Sequence, residues 1–192
     1  MERLEAFVEL LTAENQRQNL VSQASLESVW ERHIYDSAQL LRFAPLEPGS
    51  WLDLGSGAGF PGLIVAALSA RRVTLVEARK LRVEFLGRAA ETLGLADQVE
   101  IVPVKVEALE ARPFDVISAR AFAPLDRLFS LAERFSTDGT TWILPKGRNA
   151  KTELEAARRS WQGRFRIEPS LTDADAGIVV GQGVSRRPKG KR

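Results

Sequence analysis

The residues best suited to chemistry in this 192-residue chain lie in Trp51-Leu52-Asp53-Leu54-Gly55-Ser56-Gly57-Ala58-Gly59-Phe60-Pro61-Gly62. A short apolar strand runs here into a turn rich in glycine. Glycine lets the backbone take positive φ and lets a ligand approach with no Cβ in the way. A helix opening at Pro61 directs its unpaired N–H groups and positive dipole end at whatever lies over the turn. Such a cradle suits a ligand carrying a nucleoside or a carboxylate. Glu77, 22 residues beyond Gly55, closes the apolar run Val73–Val76. A carboxylate at that place can accept from both ribose hydroxyls of a nucleoside.

Later apolar runs end in further polar groups. After Val99–Val102 comes Lys105-Val106-Glu107, where a backbone amide and an acidic side chain can meet an adenine ring. After Phe114–Ser118 comes Ala119-Arg120-Ala121-Phe122-Ala123-Pro124, and after Thr141–Leu144 comes Pro145-Lys146-Gly147-Arg148. Ligands of open α/β sheets sit outside the carboxyl ends of the strands, so Arg120, Lys146 and Arg148 fall on the working edge. Two cofactors fit the loop. Gly57-x-Gly59-x-x-Gly62 matches the dinucleotide fingerprint of NAD or FAD sites. Gly55-x-Gly57-x-Gly59, with Asp53 upstream, instead resembles the first motif of S-adenosylmethionine-dependent methyltransferases.

The elements that position these groups follow from periodicity. Residues 2–20 carry Leu4, Phe7, Val8 and Leu11 at helical spacing, Ser25 stands as an N-cap for a second helix, and a third spans Asp36 to Phe43. From Ser50 strands alternate with helices over Gly62–Leu68, Arg79–Leu93, Leu125–Phe135 and Asn149–Trp161. That alternation predicts an α/β fold with a mostly parallel sheet of seven strands and helices on both faces. The last two strands, Arg164–Ile167 and Ile178–Val184, leave no room for a helix between them. Thr172 to Gly177 reads as an exposed loop, so the sheet is expected to end in an antiparallel pair. This ending favours a methyltransferase-type sheet over the all-parallel dinucleotide fold.

Composition sets the outer bounds. With 44% hydrophobic residues, one sizeable core and one domain are expected. We divide it into an N-terminal helical extension (1–48), a cofactor-binding α/β core (49–185) and a basic tail (186–192). No run of about eighteen apolar residues occurs, and the start, Met1-Glu2-Arg3-Leu4-Glu5, is unlike a signal peptide. The absence of cysteine excludes disulfides, thiolate metal sites and cysteine nucleophiles. A cytoplasmic monomer without membrane or metal partners is the expectation. Charge is uneven: residues from Lys146 onward carry +7, and residues 1–145 carry −5. That asymmetry points to contact with a polyanion or to a solvated end.

Several motifs together resemble one family. His33-Ile34-Tyr35-Asp36-Ser37, Asp53-Leu54-Gly55-Ser56-Gly57-Ala58-Gly59-Phe60-Pro61-Gly62, Ser118-Ala119-Arg120-Ala121 and Lys146-Gly147, with Asn15-x-x-x-Asn19-Leu20 before them, look like the RsmG family. Its members are small-subunit (16S) ribosomal RNA guanine-N7 methyltransferases, also called glucose-inhibited division protein B. The likeness spans nearly the whole chain and implies a Rossmann-like class I methyltransferase fold. It also implies S-adenosyl-L-methionine as cofactor and 16S ribosomal RNA or the small ribosomal subunit as partner. Gly55, Phe60, Val106, Glu107 and Arg120 would form the cofactor site, with Glu77 at the ribose. Asp53, Ser56, Gly57 and Gly59 complete the expected cofactor set, and Lys105, Lys146 and Arg148 are the expected RNA contacts. Lys105 stands where many members carry arginine, which keeps the charge and loses the planar fork.

The residues agree with that reaction type. Guanine N7 carries an in-plane lone pair and no proton, so its methylation needs positioning and no general base. Cytosine-C5 transfer uses a cysteine, which the chain lacks, and amine transfer goes with an Asn/Asp-Pro-Pro-aromatic motif where Arg120-Ala121-Phe122-Ala123 stands. Ribose 2′-O transfer wants a deprotonating lysine, for which Lys146 or Lys105 is available. An NAD-dependent oxidoreductase needs a proton donor, and a non-catalytic RNA-binding module would use only the basic C-terminal region. His33, the single histidine, reads as a hydrogen-bonded core residue or as a partner for Asp36 at i, i+3 spacing. The four tryptophans read as core.

Overall fold

The computed structural model describes residues 1–188, so Lys189–Arg192 of the basic tail lie outside the described residues. Strands β1 (Ser50–Leu54), β2 (Arg72–Val76), β3 (Val99–Val102), β4 (Val116–Ser118) and β5 (Thr141–Lys146) run parallel. They alternate with helices α4 (Gly62–Leu68), α5 (Lys80–Leu93), α6 (Leu125–Ala132) and, after β5, α7 (Ala150–Ala157). Strands β6 (Trp161–Pro169) and β7 (Gly177–Arg186) close the sheet in the order β3-β2-β1-β4-β5-β7-β6. Strand β7 is antiparallel to both of its neighbours, as the missing helix between the last two strands predicts. The strand order reverses between β1 and β4, and that reversal opens a crevice at the carboxyl edge.

The sheet is buried on both faces. On one, the N-terminal residues Phe7, Leu11, Val29, Ile34 and Leu40 join Leu63, Phe85 and Leu86 of α4 and α5. The helix α1 (Glu2–Asn15) is fastened to α5 by Phe7 against Phe85 and by Arg88 on Glu14 at 2.5 Å. The other face packs Phe129, Phe135, Leu154, Trp142 and Trp161. Phe129 meets Trp142 edge-on at 5.2 Å and Trp161 at 5.6 Å. Truncating an aromatic so placed costs about 3–5 kcal/mol.

Local hydrogen bonds redraw several expected boundaries. Helix α1 stops at Asn15 because Asn15 Oδ1 accepts from the amides of Leu20 and Val21 (2.8 and 2.9 Å), which folds the polar run into a turn. Ser22, rather than Ser25, caps α2 (Gln23–Glu27) by accepting from Ser25 N. The third helix is longer than expected and irregular: a π-helical turn, Trp30–Tyr35, leads into α3 (Asp36–Ala38) and a 3₁₀ stretch, Gln39–Phe43. Helix α7 ends at Ala157, and Trp161 starts β6, where its indole N–H donates to Asp126 at 3.0 Å. Trp51, Trp142 and Trp161 are core, whereas Trp30 is 39% exposed on the π turn. Among the described residues no helix is long and apolar enough to cross a membrane.

Candidate active site

The loop after β1 is built from beneath. Gly55 (φ 67°), Gly57 (φ 57°) and Gly59 (φ 88°) hold left-handed backbone that other residues adopt at a cost. Asp53 is enclosed: Oδ1 accepts from Ser118 Oγ at 2.8 Å and Oδ2 from Gly62 N at 3.2 Å. Ser118 in turn accepts from the Trp51 indole at 2.8 Å. Burial raises the Asp53 pKa to about 6, against the hydrogen bonds from Ser118 and Gly62 that favour its charged form. Ser56, also buried, donates to the Asp53 carbonyl. Asp53 and Ser56 therefore brace the turn and present no side chain to a ligand. Gly62 has no room for a Cβ against Asp53 and Leu75, so the last glycine of the apparent dinucleotide fingerprint serves helix-to-strand packing.

Two cavities open along the carboxyl edge of the sheet. The smaller, about 260 Å³, is lined by Gly55, Glu77, Lys105, Val106, Glu107 and Phe122, among others. Glu77 Oε2 accepts from Gly57 N at 3.1 Å and Oε1 from Arg79 N at 2.9 Å, and Arg82 stands 3.7 Å from it. Each carboxylate oxygen keeps a free lone pair for a hydroxyl donor. Lys105, expected among the RNA contacts, lines this cavity beside Glu77. Val106 is buried, and its carbonyl accepts from Arg134 at 2.6 Å, while Glu107 is exposed.

The larger cavity, about 530 Å³, gathers His33, Asp36, Arg120, Phe122, Lys146 and Thr172. Arg120 Nη1 lies 3.5 Å from Asp36 Oδ2, and the guanidinium sits 5.1 Å from the centre of the Phe60 ring. Burial pulls the Arg120 pKa down while Asp36 and Asp53 push it back up. Phe60 is itself buried between His33, stacked on it at 4.8 Å, and Phe7. Phe60 thus carries Arg120 as a wall. Lys146 Nζ is engaged by the Ala123 carbonyl at 2.7 Å and by Glu153 at 2.9 Å, so this expected RNA contact fastens the loop after β4. Arg148 is exposed beyond it.

His33 is buried and does not pair with Asp36. Its Nε2 meets Ser25 Oγ at 3.0 Å, and burial first, then the charges of Arg120 and Arg32, lower its pKa to about 4. Asp36 instead accepts from Thr172 Oγ1 at 2.7 Å and Gln39 Nε2 at 2.8 Å. Gln39 Oε1 also accepts from Leu171 N at 2.8 Å. The segment from Thr172 to Gly177, expected as an exposed loop, is therefore tied to the N-terminal helices and walls the cavity. Gln39, Ser170 and Thr172 were not legible as site residues. The polar types of Ser170 and Thr172 after a strand, and of Gln39 in the N-terminal 3₁₀ stretch, are a signal only once β6 is known to end beside Asp36.

The glycine turn, the Glu77 carboxylate at one end and the Arg120 cation at the other fit an elongated ligand with a nucleoside and a carboxylate. A Cβ built on Gly57 would make only ordinary contacts, with the Arg82 guanidinium at 3.6 Å and the Gly55 carbonyl at 3.7 Å.

The chain as a whole is similar to known proteins. A family model described as GidB, rRNA small subunit methyltransferase G, matches residues 1–176. Ribosomal RNA small subunit methyltransferase G of Rhizorhabdus wittichii is 54% identical over 100% of this chain and 89% of its own length. The protein of that name from Ruegeria sp. is 42% identical over 97% of this chain and 92% of its own. Among solved structures, the ribosomal protein L11 methylase of Lactobacillus delbrueckii superposes with a TM-score of 0.62 at 17% identity, over 80% of this chain and 77% of that one. A variant of MtNAS, solved in complex with S-adenosylmethionine, gives 0.61 at 20% identity, over 94% and 73%. At such identities the structures speak for the fold alone.

Proposed function

The chain belongs to the rRNA small subunit methyltransferase G family, and on that premise we propose that it methylates guanine N7 in small-subunit (16S) ribosomal RNA with S-adenosylmethionine as donor. The observation that carries this reading is the pair of cavities meeting at Phe122 and Ala123, one holding Glu77 and Gly55 and the other Arg120. Bound across them, adenosylmethionine supplies an electrophilic methyl group on a sulfonium centre. Glu77 would accept from the ribose hydroxyls, and Val106 and Glu107 would flank the adenine. Arg120, steadied by Asp36 and Phe60, would hold the methionine carboxylate. Gly55 and Gly57 would let the backbone pass close beneath.

The chain's remaining task is orientation. N7 offers an in-plane lone pair with no proton to remove, so holding it in line suffices. A cation often reads guanine through O6 and N7 together. Here N7 must stay free, which leaves O6 and phosphate for cations such as Arg148. Ribose 2′-O transfer would use a free lysine beside the methyl group, but Lys146 is committed to Glu153 and the Ala123 carbonyl, and Lys105 lines the smaller cavity beside Glu77 and not the one that holds Arg120. The substrate would be met in the cytoplasm. Mass spectrometry of ribosomal RNA from a strain lacking this protein tests the reading. Loss of one 7-methylguanosine supports it, and an unchanged modification profile overturns it.

A further inference from the structure

Phe122 stands on the wall between the two cavities and lines both. It lies on the loop that follows β4, directly after Ala121, which holds φ at 52°. Ala121 is the non-glycine residue with positive φ among those described, and such backbone persists only where its surroundings hold it. The surroundings here are specific. On one flank Arg120 is held by Asp36, and on the other Lys146 donates to the Ala123 carbonyl while Glu153 accepts from Leu125 N at 3.3 Å. The left-handed turn throws the Phe122 ring back over Gly55, so close that a Cβ built there would stand 2.5 Å from Cδ2. The ring itself is half-buried and packs into neither core cluster as a buried member.

Two aromatic side chains line the larger cavity, His33 and Phe122. His33 already has Phe60 stacked against it and Ser25 on its Nε2. Phe122 is the one whose ring lies at the junction where donor and acceptor must meet. A base drawn out of an RNA stack loses its neighbours, and enzymes that work on such bases replace them with aromatic faces. Stacking also fixes the plane of the base, and the N7 lone pair lies in that plane. A ring parallel to the base constrains N7 while leaving the in-plane line of transfer open.

On the reading of the chain as a guanine methyltransferase, we propose that Phe122 is the stacking partner of the acceptor guanine. Its ring turns from its seat on Gly55 to the larger cavity when the donor runs from Glu77 to Arg120. Phe122 is then a residue that touches substrate, held for that contact by Ala121, Lys146 and Glu153. Stacking is sequence-tolerant, so this ring positions the base and leaves its identity to polar groups.

Three proteins test this: wild type, Phe122→Leu, which keeps apolar bulk without a π face, and Phe122→Tyr, which keeps the face. Each is titrated with adenosylmethionine and then assayed in single turnover on small ribosomal subunits from a strain lacking the protein. The expected result is a fall of about five- to hundredfold in transfer rate for Phe122→Leu, with recovery in Phe122→Tyr and donor affinity within about threefold throughout. Transfer by Phe122→Leu at the wild-type rate overturns the proposal. So does a loss confined to donor affinity, which would make the ring part of the cofactor cradle. Should Phe122→Leu melt early, Phe122→Met carries the same comparison. Wild type that methylates no RNA defeats the functional reading itself, an outcome separate from equal rates in active proteins.

Discussion

Arg120 reaches back across 84 residues to Asp36, Nη1 to Oδ2 at 3.5 Å, and joins the loop after β4 to the N-terminal helices. The same carboxylate accepts from Thr172 and Gln39, so three segments of the chain converge on one side chain. A cation so held is pre-organised for an anionic ligand group, and little of its freedom is left to lose on binding.

Arg120→Ala should weaken adenosylmethionine binding by about 10- to 100-fold, the worth of a charge-assisted hydrogen bond. Arg120→Lys should recover only part, because the ammonium lacks the planar fork that lies over Phe60. Isothermal titration decides, and unchanged affinity in Arg120→Ala would remove Arg120 from the cofactor site.

Gly55→Ala should be far more damaging to the donor site than Gly57→Ala. Both positions hold positive φ, but a Cβ at 55 fills the seat that the Phe122 ring occupies and that the donor takes over once the ring has turned, whereas one at 57 meets nothing nearer than 3.6 Å. We expect more than tenfold loss of donor affinity for the first and less for the second. Equal losses would mean that backbone strain alone, about 1–2 kcal/mol, accounts for both.

Much of this geometry is legible in the sequence because it is carried by backbone pattern. Alternating strands and helices put Glu77, Val106, Arg120 and Lys146 at strand ends, and the short gap after Ile167 forces the antiparallel pair. Side-chain ties between distant segments left no such trace. The π turn at Trp30–Tyr35 carries ordinary helical residues, yet it brings His33 and Asp36 to the cavity. Ser25 is the cap the sequence points to, whereas Ser22 takes that place because its side chain accepts from Ser25 N. Asp53 looked like a ligand residue because it precedes the glycines; its burial shows it bracing them.

Lys146→Ala should cut RNA methylation about tenfold while donor affinity stays within about threefold. Lys146 Nζ holds the Ala123 carbonyl and Glu153, so its loss frees the loop that presents Phe122. Glu153→Gln, which weakens the same fastening, should move in the same direction. Arg148→Ala instead should weaken RNA binding and lower its salt slope by about 1, as expected for one lost phosphate contact. A normal methylation rate in Lys146→Ala would sink the fastening role.

His33 and Asp53 should pull stability in opposite directions with pH. The folded His33 pKa of about 4 lies below its ordinary 6.5, so the unfolded chain takes up a proton first as pH falls. Its contribution is fully present above 6.5 and is lost as pH drops towards 4. Asp53, raised from 3.8 to about 6, contributes stability fully present below 3.8 and lost as pH rises through 6. His33→Gln removes the first titration and keeps the second. The variant should be less stable than wild type at pH 7.5, where the Phe60 stack and the Ser25 hydrogen bond are missing. By pH 4.5 that gap should narrow by an amount on the order of 2 kcal/mol, because wild type alone carries the histidine's cost. Urea midpoints across this range measure it, and a gap independent of pH would show that His33 titrates alike in the folded and unfolded chain.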